Sequence, residues 1–226
     1  MRFSVIGLLL FTIGCGGRTV LTPAPQVGRV GENSVQAVQE GVKMLVRTNA
    51  WEGTPAELTQ VIPILATVEN SSDHPLRVRY SEFALVTNTD NRIAALPPFD
   101  IKGSESVPVG TAGAPLAAYP YPYHAFRVAP YLLPYYPGFV VYPGAFAYDP
   151  LFYSTYYPAF ARIPLPTGDM VQKALPEGVL DNGGRITGFL YFGGLDHPQS
   201  VSFTADLVDA STGAHFGRIV IPFDVG

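Results

Sequence analysis

The side chains that could carry chemistry are few and scattered. The four histidines are His74, His124, His197 and His215. None belongs to a His-x-His or His-x-x-x-His pair that would aim two imidazoles from one element at one ion. His74 and His197 each precede a proline in stretches that read as turns, where a solvated histidine is the ordinary outcome. Glu69, Asp73 and Glu82 also lie near turns. Two carboxylates sharing a site would suit acid–base work, but nothing in their spacing brings any pair together. No Gly-x-Ser-x-Gly stretch is present. Gly183-Gly184 and Gly193-Gly194 are not followed by Lys-Ser or Lys-Thr, so they read as turns or bulges and not as phosphate loops. The single cysteine, Cys15, excludes an intramolecular disulfide and a cysteine-rich zinc site. No catalytic residue, cofactor or metal is expected, and the chain does not read as an enzyme.

The surroundings of Cys15 are more informative than its number. The chain starts MRFSVIGLLLFTIGCGGRTV. Arg2 is a short positive start, and Phe3 to Ile13 is apolar apart from Ser4, Gly7 and Thr12. Small Gly14 then precedes the cysteine. This is the layout of a secretory signal, and the run is too short for a permanent span. The residues TIGC at 12–15 resemble the lipobox of bacterial lipoproteins, although Thr12 stands where leucine is most common. The resemblance implies cleavage after residue 14 and lipidation of Cys15, which then anchors the chain in a membrane. Two or more acyl chains anchor stably where one does not. Gly16, in place of an aspartate, favours the outer membrane in a cell that has one. The plainer alternative is an ordinary secretory signal with a chance cysteine. Residues 15–34, rich in Gly, Pro and small polar residues, read as a flexible tether.

The 226 residues are enough for one domain with a real core. Only 14% of them are charged, below the usual quarter. Lys and Arg number 14 against 18 Asp and Glu, with no basic stripe, so nucleic acid is not an expected partner.

The elements read mostly as short strands. Residues 35–49 hold two brief apolar alternations; a helix over 34–46, capped by Ser34, competes with a strand pair there. In 61–72, Ile62, Ile64, Ala66 and Val68 fall on one face at period two. The turn 70–75 leads into 76–87, where the apolar parity switches after Tyr80 and suggests a bulge near Ser81–Glu82. Residues 92–99 read as a strand stopped by two prolines. Residues 167–178 read as one short helix capped by Thr167 or Asp169. Asn182-Gly183 signals a tight turn before a strand carrying Ile186, Gly188, Leu190 and Phe192 on one face. Strands over 201–210 and 214–225 complete the pattern.

Many short strands with turn chemistry between them, and no βαβ spacing, predict an antiparallel β-sandwich. The stretches 66–96 and 175–192 loosely resemble immunoglobulin-like accessory domains of bacterial exported proteins, through Val68-Glu69-Asn70, then Phe83-Ala84-Leu85, and a later strand pair. That resemblance implies an immunoglobulin-like sandwich and no catalytic residue. The expected fold is therefore a mainly β, immunoglobulin-like sandwich over 35–103 and 167–226, with one short helix.

Residues 104–166 stand apart as a long insertion. They hold 11 of the 13 tyrosines and 12 of the 22 prolines. A transmembrane helix over the uncharged 128–148 is excluded by Pro130, Pro134, Pro137 and Pro143, each costing a helix about 3 kcal/mol. A regular strand is not expected either. Three readings stay open: a loose extended loop, a partner-binding surface, and a segment lying on the membrane. The functional expectation is an anchored extracytoplasmic lipoprotein with a structural or protein-interaction role. Its partners would be the membrane through the lipid and an envelope protein through 104–166. The alternative is a small-ligand-binding module of the cell envelope.

Overall fold

The computed structural model describes residues 19–58, 61–98, 118–146, 167–195 and 198–226. They form two sheets packed face to face, a β-sandwich, with one short helix.

The small sheet has five strands: β1 (Leu21–Pro23), β7 (Phe83–Thr87), β8 (Arg92–Ala94), β12 (Ser200–Val208) and β13 (His215–Val225), in the order β1-β13-β12-β7-β8. The large sheet holds β2 (Arg29–Gly31), β3 (Ser34–Gln39), β4 (Val42–Arg47), β5 (Val61–Asn70), β9 (His124–Val128), β10 (Val140–Val141) and β11 (Gly178–Gly193). Their order is β10-β9-β11-β5-β4-β3-β2, with β6 (Leu76–Val78) also paired to β11. All pairs are antiparallel except β9 with β10.

The alternations explain the shared core. Ile62, Ile64, Ala66 and Val68 of β5 and Ile186, Leu190 and Phe192 of β11 face Phe83, Leu85, Phe203 and Ile221 of the small sheet within one buried cluster. Phe192 meets Phe203 edge to face at 6.1 Å, so aromatic packing joins the layers.

Several expectations change in detail. The strand pair at 34–47 forms and the helix does not: Glu40 and Gly41 adopt φ of 49° and 77°, the left-handed pair that a two-residue hairpin needs. The parity switch after Tyr80 marks a change of sheet. A 3₁₀ turn at Tyr80–Glu82 takes the chain from β6 in the large sheet to β7 in the small one. Asn182-Gly183 does not reverse the chain. It is an irregularity inside β11, where the register against β9 shifts between Leu180 and Arg185 and Gly183 has φ of 76°.

The segment read as a tether is structured from Leu21. It adds strand β1 to the edge of β13, and buried Thr48 donates from Oγ1 to Leu21 O at 2.7 Å.

The larger correction concerns 104–166. Its described part, 118–146, is no loose loop. It supplies β9 and β10 and buries Phe126, Val128, Leu132, Tyr136 and Phe139. The prolines do not prevent this because the strands occupy proline-free windows, 123–129 and 138–142, while Pro130 starts a 3₁₀ turn at Pro130–Leu132. Residues 104–117 and 147–166 lie outside the described residues.

Candidate interaction surface

The tyrosine-rich segment is organised around one ring. Phe139 stacks on Tyr123 at 4.1 Å between centroids and meets Tyr119, Phe126 and Tyr136 edge to face at 5.1, 5.7 and 5.8 Å. Offset and T-shaped contacts of this kind add to plain burial.

The hydroxyls explain why so many of these rings are tyrosine. Helix α1 (Gly168–Lys173), capped by Thr167, crosses the covered outer side of the large sheet. Its last carbonyls lack full helical partners, Val171 O keeping only a long bond of 3.4 Å from Ala174 N. Tyr191 donates to Met170 O at 3.0 Å and Tyr136 to Val171 O at 2.8 Å. Just beyond the helix, Tyr119 reaches Ala174 O at 3.1 Å and also Thr187 O, and Tyr80 donates to Leu175 O at 2.8 Å. Burial holds the phenols of Tyr119, Tyr136 and Tyr191 well above their ordinary value, so they remain neutral donors. Gly188 makes room for this arrangement: a Cβ there would stand 2.5 Å from the Leu175 backbone and from the Tyr119 hydroxyl.

The loop before β5 completes the cover. Trp51 lies edge-on to Phe189 and Tyr191 at 5.1 and 5.9 Å, and its Nε1 donates to Pro55 O at 2.8 Å. Thr54 N donates to Asp169 Oδ2 at 2.7 Å, tying loop to helix.

The outward side of the segment is apolar at three described points. Tyr123, Leu133 and Val140 are 40%, 39% and 68% exposed. Beside them Arg127 grips Asp181 with two hydrogen bonds, Nε to Oδ2 at 2.9 Å and a terminal nitrogen to Oδ1 at 2.5 Å, and lies over the Tyr142 ring. That fork fixes β9 against β11.

Beneath the segment lies a buried polar junction. Glu177 accepts from Tyr80 N at 2.8 Å and from the Tyr131 hydroxyl, and its own carbonyl accepts from Ala129 N at 2.9 Å. Glu82 accepts from Arg77 Nε at 2.5 Å. Burial pushes the Glu82 carboxyl up to about 7; Arg77 and Arg79 pull against this, and Glu177 adds to it.

The sequence-stated candidates do not converge. Cys15 and His197 lie outside the described residues. His124 and His215 are exposed. His74 is exposed too, with Nδ1 2.8 Å from Asp209 Oδ2 and its ring stacked on Phe216 at 4.8 Å. Burial works against ionising Asp209, but His74 and the amides of Thr212 and Ser211 outweigh it and hold the carboxyl below its usual range. The pair ties the 70–75 turn to the end of β12, and no nucleophile completes a triad in the contacts they make. Glu69 pairs with Lys43 and, at 3.7 Å, with Arg185. Asp73 is exposed.

Among the described residues no group of three or more His, Cys, Asp or Glu is placed to hold a metal. No described helix is long and apolar enough to cross a membrane. The sequence reading passed over Glu177, which fell within the stretch 167–178 read as a short helix, and Asp209, which fell within the strand 201–210. No family model, curated protein or solved structure matches the chain.

Proposed function

We propose that this chain is an extracytoplasmic lipoprotein, held on a bacterial membrane through Cys15, with a structural or protein-interaction role and no catalytic activity. The observation that carries the reading is TIGC at 12–15, directly after an apolar run with Arg2 at its start. Acyl chains on one cysteine hold a folded domain at a membrane without any spanning element. Gly16 favours the outer membrane where the cell has one. The sandwich then serves as scaffold, and the tyrosine-rich segment presents the contact surface to an envelope protein. Tyr123, Leu133 and Val140 support that role, because rigid rings and apolar side chains on a proline-framed backbone lose little entropy on docking.

The test is Cys15→Ser in the native host. The wild-type protein should yield an N-terminal peptide beginning at an acylated Cys15 and should sediment with membranes, while the variant should carry no acyl mass and leave the membrane fraction. A variant that remains acylated or membrane-bound refutes the anchor. The contact role is tested in the same cells with a photo-crosslinking side chain at Val140 and, for comparison, at Val220 on the small sheet. Capture of one envelope protein from Val140 and not from Val220 is expected, and equal yields would overturn the role.

A further inference from the structure

Glu82 Oε2 is the one buried side-chain polar atom among the described residues that lacks a hydrogen-bond partner. It sits on the 3₁₀ turn where the chain leaves the large sheet for the small one. Several packed elements bring charge or hydroxyls to this junction. Arg77 comes from β6, Arg79 from the link after it, and Glu177 from the approach to β11. Tyr131, on the turn at Pro130–Leu132, reaches Glu177. Strand β8 brings Arg92, which donates to Ser81 O at 2.9 Å; β12 brings Asp206, held by Arg92 and Arg218.

A carboxyl buried as deeply as that of Glu82 ionises at a cost, chiefly because burial strips its charge of water, and Glu177 nearby adds a little more. The donors decide which of the two keeps the charge. Both oxygens of Glu177 have one, Tyr80 N and the Tyr131 hydroxyl. Glu82 has a donor on Oε1 only, and its bare Oε2 is where a proton fits.

We infer that Glu82 is a proton-operated latch: it carries a proton while the junction is closed, and on losing it the buried carboxylate is drawn toward water, shifting the turn whose Tyr80 N holds Glu177 and loosening the hold of Glu177 on the aromatic segment at Ala129 and Tyr131. The upward shift of Glu82 from 4.5 to about 7 agrees with this geometry. The folded chain binds that proton more tightly than the unfolded chain does. The stabilising contribution is therefore fully present below pH 4.5 and is lost as pH rises through 7. The same shift caps the change in the opening equilibrium at a few hundredfold.

The test uses the full chain in detergent, as wild type, Glu82→Gln and Glu177→Gln. An infrared carbonyl band from a protonated, buried carboxyl is expected in the wild type below pH 7, gone at higher pH and absent from Glu82→Gln. Amide exchange across 129–136, corrected for intrinsic rate, should quicken by one to two orders of magnitude between pH 4.5 and pH 7 in the wild type and stay level in Glu82→Gln. Glu177→Gln leaves Glu82 buried and should keep most of the pH dependence, whereas loss of the profile there would overturn burial of Glu82 as the control. Parallel exchange profiles in wild type and Glu82→Gln would overturn the latch. If Glu82→Gln does not fold, the wild-type band decides, and its absence below pH 7 is equally fatal.

Discussion

Strand β13 of the small sheet and strand β11 of the large one solve the same problem in opposite ways. Along β13, Ile219, Ile221 and Phe223 are buried while Val220 between them is 52% exposed, the ordinary pattern of a sheet with one wet face. Along β11, every residue from Ile186 to Phe192 is buried. Ile186, Leu190 and Phe192 enter the shared core, whereas Phe189 and Tyr191 enter a second cluster with Trp51, Leu58 and Met170. The large sheet thus carries an added layer, made of the Trp51 loop and helix α1, with Tyr121 of the tyrosine-rich segment packed against it. A sheet covered on both faces needs apolar residues on both, and its cover needs some way of satisfying buried carbonyls. Tyrosine supplies both: Tyr136 of the segment and Tyr191 of β11 are buried as rings, Tyr119 partly so, and all three donate to backbone carbonyls.

The largest expected effect comes from removing the tyrosine-rich segment. Deleting 118–146 takes Phe126, Val128, Leu132, Tyr136 and Phe139 out of the core and strips β9 from the edge of β11. Truncating a single buried phenylalanine costs about 3–5 kcal/mol, and a whole domain holds only about 5–15 kcal/mol. The deleted chain should therefore show no cooperative thermal transition by circular dichroism. A sharp melt in that variant would reduce the segment to a decoration and end the contrast between the sheets.

Physical reasons govern how much of this was legible. Period-two burial on one face is written in the chain itself, so β5, β12 and β13 could be read from Ile62–Val68, Val201–Leu207 and Ile219–Phe223. The change of sheet at Tyr80–Glu82 was visible only as a parity break, because a bulge and a crossing strand leave the same trace. In 118–146 the abundance of proline outweighed placement: the short proline-free windows that carry β9 and β10 were the usable signal. The junction of Glu82 with Glu177 was not legible at all. Ninety-five positions separate the two, and only the crossing of β6 beside the start of β11 brings them together.

A smaller effect separates hydroxyl from ring. Tyr136→Phe keeps the aromatic packing on Phe139 and removes the donor to Val171 O. That carbonyl keeps only a long bond of 3.4 Å from Ala174 N, so the loss should be about 1–2 kcal/mol in denaturant unfolding. Tyr123→Phe removes a 3.1 Å bond to Gly138 O at an exposed site and should stay within about 0.5 kcal/mol. Equal losses would mean that the phenols act by packing alone.

The smallest effect is expected on the uncovered face. Val220→Thr preserves the β-branched shape that suits a strand, and it places a hydroxyl where half the side chain already meets water. The shift in the midpoint of denaturant unfolding should correspond to no more than about 0.5 kcal/mol. The small cost follows from position and not from chemistry: a hydroxyl on a covered face would be desolvated, at a cost of about 1–3 kcal/mol unless a partner accepted it. Val220 therefore reports directly on whether the outer face of the small sheet is open. A cost above about 1 kcal/mol would mean that this face is covered in solution as the large one is, and the two sheets would then differ only in which segment does the covering.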